Sequence, residues 1–111
     1  MRRFALTCAL CTAAPAALAA DWVRLDTDGI VVALTDTKYA YESGATQHFY
    51  ASGRTLYDAG QDSWGTWEAR DDRYCSQWPP ASGWACYYVE QSDDHVRFIG
   101  DSGDITTGRR Q

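Results

Sequence analysis

The stretch "RYCSQWPPASGWACYYVE", residues 73–90, contains two strand-like runs on either side of the loop "PPASG". Prolines cannot donate to a β-ladder, so Pro79 and Pro80 mark a break between the two strands. If these strands are antiparallel neighbours, Cys75 and Cys86 lie across from each other. The stretch therefore predicts a β-hairpin that is tied by a disulfide between the two cysteines.

The first strand of this hairpin also belongs to a predicted hairpin upstream, "WGTWEARDDRYCSQW", which turns at Asp71 and Asp72. A two-residue turn places Cys75 opposite Glu68, whereas a turn one residue longer places it opposite Trp67. We favour the longer turn, because a half-cystine and a tryptophan are both expected to point inward.

The clearest hairpin signal is "QHFYASGRTLY", in which Ser52 and Gly53 are typical of a two-residue turn. That turn pairs Phe49 with Leu56. The register therefore predicts that Phe49 and Leu56 lie on one face of the sheet and that Tyr57 lies on the other face.

The remaining segments predict short elements separated by turns. Asp28 is a candidate N-cap for a short helix on which Ile30, Val31 and Leu34 share one face. Near the C-terminus, "HVRFIG" alternates apolar and polar residues, and "DSGD" predicts a turn into a last strand. With about seven strands and one short N-terminal helix, the sequence predicts a mainly β fold. We expect an antiparallel meander that forms a curved sheet or a small up-and-down barrel.

Residues 1–20 are typical of a secretory signal peptide: Arg2 and Arg3 precede an apolar run that ends in small residues. The alternative is a membrane anchor. A membrane span needs about 20 apolar residues, and this run is shorter and contains Pro15. We therefore expect cleavage, no membrane insertion afterwards, and a single β domain over residues 21–111 that is periplasmic or secreted.

Export also bears on the four cysteines. Cys8 and Cys11 are expected to leave with the signal peptide, so that Cys75 and Cys86 remain. An even pair of cysteines in a small exported domain predicts a disulfide rather than a metal site. Closing so short a loop contributes about 3 kcal/mol to the free energy of unfolding in the chain-entropy model.

The charge of the chain limits its partners. Without residues 1–20, the formal charge changes from −5 to −7, because only two arginines are removed. Such a surface repels nucleic acid and anionic lipid, and it favours a cationic partner. Solubility of an exported protein is an alternative explanation for the same acidity.

The order of these features resembles a known family. "FYASGRTLYDAG", "SWGTWEARDDRYCSQWPP", "WACYYVE" and "VRFIGDSGD" resemble small exported bacterial proteins of unknown function, which have a Gly-x-Trp strand and a paired-cysteine hairpin and look like lipocalin-type half-barrels. The residues that carry the resemblance are Gly53, Gly65, Trp67, Cys75, Trp78, Cys86, Tyr87 and Gly100. The resemblance implies the fold and the compartment, and it implies no reaction.

The aromatic and proline residues of the opening stretch are the main candidate site. Trp78, Pro79, Pro80 and Trp84 are a plausible anchor for a peptide, a sugar or a small apolar ligand. This predicts a non-enzymatic binding module. The alternative is that both tryptophans lie inward and seal one end of the barrel.

A second hypothesis is an inhibitor of a cationic enzyme such as lysozyme. It rests on the acidic charge and on "YASGRTLY", which is similar to a Ser-Gly-x-x-Tyr stretch of periplasmic lysozyme inhibitors. Ser52, Gly53 and Tyr57 would be the contacts, with Tyr57 one residue late for that pattern.

A third hypothesis is an enzyme of unknown type. Its candidate general base is His95, which is adjacent to the acidic residues Asp93 and Asp94 in the sequence. A polar turn explains the same residues. The "GDSG" at 100–103 is expected to be a turn, since no protease-type histidine motif accompanies it. The chain contains no glycine-rich cofactor loop and no His-Glu-x-x-His, so we expect no cofactor and no metal.

Overall fold

The computed structural model describes residues 21–111. Most of their secondary structure is β-strand, in which side chains point alternately inward and outward. The strands are β1 (Val23–Arg24), β2 (Thr37–Tyr41), β3 (Thr46–Phe49), β4 (Arg54–Asp58), β5 (Asp62–Arg70), β6 (Arg73–Gln77), β7 (Trp84–Ser92), β8 (His95–Ile99) and β9 (Ile105–Arg110). The helix is α1 (Thr27–Leu34). The predicted signal peptide, residues 1–20, lies outside the described residues.

The strands β2 to β9 form a closed up-and-down barrel. Each strand pairs antiparallel with the next, and β9 pairs with β2 to complete the ring. The short strand β1 is added to β7 beyond the end of β6. The prediction of a mainly β antiparallel meander with one short helix is confirmed, and the barrel is closed.

Because every strand reverses direction, the connections alternate between the two ends of the barrel. We call one end the closed end: it carries α1 and the loops 50–53, 71–72 and 93–94. We call the other the open end: it carries the loops 42–45, 59–61, 78–83 and 100–104.

The helix α1 covers the closed end because its inner face is apolar. Ile30 and Leu34 are fully buried, and Ala33 lies beside them. The predicted inner residue Val31 is instead 43% exposed, because a residue one position after Ile30 is rotated by about 100° around the helix axis. The prediction that Val31 faces inward is therefore wrong.

The cap of α1 also differs from the prediction. Asp26, in an extended conformation, accepts a hydrogen bond from the backbone N–H of Gly29 at 2.8 Å. Asp28, the predicted cap, lies within the first turn, where an acidic side chain still favours the helix dipole. Thr27 fixes the helix to the β5–β6 turn, because its N–H donates to Asp72 Oδ1 at 2.9 Å.

The β3–β4 hairpin has a loop one residue longer than predicted. Phe49 pairs with Thr55 rather than with Leu56, and Gly53 adopts a positive φ of 92°. A three-residue loop that ends in a left-handed glycine is a common alternative to the two-residue turn. Shifting the register by one residue reverses the face of every residue on β4, so Tyr57 shares the inner face with Phe49.

The β5–β6 hairpin has the shorter turn, so the favoured register is wrong. Asp71 and Asp72 both have positive φ, 52° and 59°, as the central residues of a two-residue I′ turn require. Cys75 therefore lies opposite Glu68. Trp67 points into the barrel while Cys75 points outward, so that the two do not share a face.

The predicted disulfide joins Cys75 of β6 to Cys86 of β7, which face each other directly in the antiparallel ladder. Its neighbours on β6, Tyr74 and Ser76, point inward. The disulfide is therefore on the outer face of the barrel wall, where it ties two strands and where Cys75 is itself buried.

The barrel core is concentrated toward the closed end. It consists of Ile30, Leu34, Tyr39, Phe49, Trp67, Tyr74, Val89, Val96 and Phe98. Phe49 is its centre, with edge-to-face contacts to Tyr39, Trp67 and Tyr74. Such aromatic pairs stabilise beyond the area that they bury.

A row of charges on the outer face holds β1 in place. Glu90 of β7 pairs with Arg97 of β8 at 2.6 Å and with Arg24 of β1 at 3.2 Å. The hydrogen bond from Arg97 holds the pKa of Glu90 below its usual value.

Among residues 21–111, no helix is both long and apolar enough to cross a bilayer.

Candidate functional site

The barrel contains a cavity between its core and its open end. The cavity has a volume of about 630 Å³. Its aromatic lining residues are Tyr41, Tyr57, Tyr74, Trp78, Tyr87 and Phe98. Protein sites for small molecules typically have volumes of about 300–1,000 Å³ and a mainly apolar and aromatic lining. The cavity has the size and the lining of a ligand site.

The period of two along each strand brings these rings together. Tyr41 follows the core residue Tyr39 by two positions on β2, and Tyr87 precedes the core residue Val89 by two positions on β7. Residues two apart on a strand face the same side of the sheet. The rings of the cavity thus continue the inward face of the core toward the open end.

The Trp78 ring packs against Gly65, where a larger side chain would clash with it. A Cβ atom at residue 65 would lie 2.7 Å from the Gln77 carbonyl oxygen and 2.7 Å from the Trp78 ring. The indole also packs edge-on against Tyr57, with 6.2 Å between the ring centroids. Its Nε1–H donates to Ser76 Oγ at 3.1 Å. Trp78 is therefore part of the cavity wall.

Hydrogen bonds connect the polar groups at the floor of the cavity. The Tyr41 hydroxyl donates to Gln47 Oε1 at 2.6 Å. Gln47 Nε2 donates to Thr55 Oγ1 at 2.9 Å and to the Tyr74 hydroxyl oxygen at 3.2 Å. Thr55 in turn donates to the His48 carbonyl at 2.9 Å. Buried polar groups that are satisfied in this way hold their side chains in one arrangement.

The same floor is electrically neutral. Burial raises the pKa of both Tyr41 and Tyr74 above the ordinary value of 10.0. Both phenols therefore stay protonated at neutral pH. A ligand at this depth meets hydroxyl groups, an amide and aromatic rings, and no formal charge.

Carboxylates lie at the mouth of the cavity. Glu42, directly after β2, and Asp104, directly before β9, are lining residues. Asp104 is held by a hydrogen bond that the Ser102 hydroxyl donates to its Oδ1 at 2.8 Å. The "GDSG" segment forms the β8–β9 turn, as predicted, closed by a bond from the Gly103 N–H to the Gly100 carbonyl at 3.0 Å.

The four residues of the predicted aromatic site do not all face the cavity. Trp78 lines the cavity, while Pro79 and Pro80 are exposed in the following turn at the open end. Trp84 is 39% exposed. Its ring is on the outer face, where the Arg70 guanidinium lies 5.2 Å from the ring centroid. Only Trp78 is part of the interior site.

The residues of the two alternative hypotheses lie elsewhere. Ser52 and Gly53 are in the β3–β4 loop at the closed end, whereas Tyr57 lines the cavity toward the open end. The structure does not bring these three residues together. His95 is 2.9 Å from Asp94 on the outer surface near the closed end, away from the cavity.

Several cavity residues were not predicted from the sequence: Glu42, Tyr41, Gln47, Tyr74, Ser76, Phe98 and Asp104. The sequence pattern that could have identified them is the period of two along a strand. It places Tyr41 on the same face as Tyr39, and Gln47 on the same face as Phe49. This signal identifies a shared face and not which residues lie beyond the core. Within residues 21–111, no three His, Cys, Asp or Glu side chains are grouped as metal ligands.

Comparison of the chain with protein-family models, with curated proteins and with solved structures gives no match. The resemblance to exported half-barrel proteins therefore stays a prediction from the residues. The coarser statement holds for the structure: the described chain is a small closed antiparallel β-barrel with one disulfide.

Proposed function

We propose that this chain is an exported, non-enzymatic binding protein that holds a small ligand with an aromatic or apolar body in the open end of its barrel. The observation that carries the proposal is the aromatic cavity of about 630 Å³. The cavity is closed on one side by the core and α1, so a ligand has a defined floor to rest on. Eight-stranded up-and-down barrels of the lipocalin type hold one small ligand in this position.

Export is part of the proposal and has two supports. The first is the sequence of residues 1–20, with its two arginines, apolar run and small residues before Asp21. The second is the Cys75–Cys86 disulfide, since such bonds persist in oxidising compartments. The kinship to lipocalin-like exported proteins is supported by the barrel topology together with its short N-terminal helix.

A binding role is favoured over catalysis by the state of the cavity floor. Tyr41 and Tyr74 have raised pKa values, so they are poor proton donors or acceptors at neutral pH. Their hydroxyl groups are engaged with Gln47. Groups of this kind orient a ligand by hydrogen bonds and ring contacts.

The test uses N-phenyl-1-naphthylamine, an uncharged aromatic dye whose fluorescence rises in apolar surroundings. We expect saturable binding to the mature, oxidised protein. Ser63 lines the mouth and is exposed, so Ser63→Trp should obstruct the cavity with little effect on the fold. It should weaken dye binding at least about tenfold.

Thr66→Trp is the matched control, because Thr66 lies on the same strand three positions away and points outward. It should leave dye binding unchanged. Equal binding by wild type and Ser63→Trp would mean that the dye binds outside the barrel. Absence of saturable binding to the wild type would also contradict the proposal.

A further inference from the structure

The open end of the barrel is acidic. The open-end loops, with the strand residues that border them, carry Glu42, Asp58, Asp62, Asp101 and Asp104. Residues 42–45, 58–62, 78–83 and 100–104 contain no lysine or arginine. The mouth of the cavity is therefore a region of negative potential in the described part of the chain.

Some acidic groups toward the closed end have partners that explain their presence. Asp26 caps α1, Asp36 accepts a hydrogen bond from the Ala51 N–H, and Asp94 contacts both His95 and Arg109. At the mouth, Asp101 lies 3.6 Å from Arg73. Glu42, Asp58, Asp62 and Asp104 form no ion pair with any residue of the described range 21–111. Asp58 accepts a hydrogen bond from the Gly60 N–H, and Asp104 accepts one from the Ser102 hydroxyl, both at 2.8 Å.

Aromatic rings on the outside of the barrel contact cationic side chains, and, within residues 21–111, the rings that line the cavity do not. On the outside, guanidinium groups lie over ring faces: Arg54 is 4.4 Å from the Trp64 centroid, and Arg24 is 4.5 Å from that of Tyr88. No lysine or arginine is among the residues that line the cavity. The rings inside are therefore not occupied by a cation from the described chain, although ring faces attract cations.

From these observations we propose that the ligand is an organic cation, an ammonium or guanidinium group on an aromatic or apolar body. The charged group lies at the mouth near Glu42 and Asp104, and the body lies among the cavity rings. The neutral floor suits the uncharged end of such a molecule. This inference rests on the proposed function, since it names the ligand class of the same cavity.

The test compares three probes that share a naphthalene ring and differ in charge. They are the cation of 2-(1-naphthyl)ethylamine, the neutral alcohol 1-naphthaleneethanol and the carboxylate 1-naphthaleneacetate. Each is used to displace N-phenyl-1-naphthylamine from the oxidised protein at neutral pH and low salt. We expect the amine to bind at least about tenfold more tightly than the alcohol, and the carboxylate to bind most weakly. At about 1 M NaCl, where the Debye length is about 3 Å, the preference for the amine should shrink.

The double variant Glu42→Gln and Asp104→Asn should remove most of the preference and keep binding of the alcohol. Asn at 104 keeps the acceptor for Ser102. The control is Asp71→Asn with Asp93→Asn. It changes the net charge equally, at two closed-end turns whose positive φ asparagine tolerates. The control should keep the full preference.

Two results would overturn the inference while the proposed function stands. One is equal displacement by the amine and the alcohol, and the other is a preference for the amine that survives the mouth substitutions. Failure of the dye itself to bind the cavity would instead contradict the proposed function on which the inference rests.

Discussion

Gly65 shows how one missing side chain shapes the cavity wall. The residue faces inward on β5, and the Trp78 ring occupies the space where its side chain would be. From the sequence, Gly65 and Trp67 were visible as a Gly-x-Trp pattern on one face of a strand. The partner of the glycine was not visible, because Trp78 reaches it from the loop after the neighbouring strand.

Replacing Gly65 with Ala should destabilise the protein and disturb the cavity. The new methyl group would meet both the Gln77 carbonyl and the Trp78 ring, and the backbone contact cannot move away easily. Overpacking of this kind costs about 1–3 kcal/mol, which corresponds to a fall of several degrees in Tm for a domain of this size. Thermal unfolding followed by circular dichroism measures the effect.

Gly83→Ala is the control, because a Cβ atom at that position meets nothing within 4 Å. It should leave Tm within about a degree of the wild type, as is usual for surface substitutions. If Gly65→Ala were as stable as Gly83→Ala and bound the dye equally well, Trp78 would not be packed against Gly65 in solution.

At the scale of elements, the sequence predicted where the hairpins turn better than it predicted their registers. "SG" and "DD" were recognised as turns, but one loop is a residue longer than expected and the other a residue shorter than favoured. The difference depends on whether the turn residues adopt left-handed backbone conformations, which Gly53 does and which Asp71 and Asp72 also do. Since one residue of slip exchanges the faces of a strand, Tyr57 and Cys75 were both assigned to the wrong face.

The disulfide is an element-scale feature whose pairing followed from the order of the strands. Replacing Cys75 and Cys86 together with Ser should lower the free energy of unfolding by about 3 kcal/mol and Tm by on the order of 10 °C. Because the bond lies on the outer wall, dye binding well below Tm should persist. A reductant should produce the same loss in the wild type and no further loss in the double variant. Free thiols on both Cys75 and Cys86 in the mass spectrum of the non-reduced, mature protein would refute the bond.

Closure of the barrel is a property of the whole molecule. The pairing of Tyr41 with Gly108 joins β2 to β9 across most of the chain, and no local pattern specifies it. The prediction therefore left the choice between a curved sheet and a barrel open. The cavity exists because the sheet closes, so its combination of rings from β2, β4, β6, β7 and β8 could not be assembled from separate hairpins.

Closure also buries Tyr39 and Tyr74 and half-buries Tyr41, and this affects the stability of the protein at alkaline pH. Burial raises the pKa of Tyr39, Tyr41 and Tyr74 above 10.0 in the folded state. In the unfolded chain these phenols ionise near their ordinary value. Above about pH 10 the unfolded state therefore binds fewer protons than the folded state, so stability is full below that pH and falls as pH rises.

Each buried tyrosine contributes a slope of about 1.4 kcal/mol per pH unit, so that the three together approach about 4 kcal/mol per unit. Urea unfolding at several values between about pH 9 and 11 measures the slope.

Tyr41→Phe removes one of the three phenols and should reduce the slope by about a third. It also loses the hydrogen bond to Gln47, which lowers the free energy of unfolding at every pH. Gly83→Ala, which removes no phenol, is the control and should keep the wild-type slope. If Tyr41→Phe kept the wild-type slope as well, burial would not raise the pKa of the Tyr41 phenol in solution.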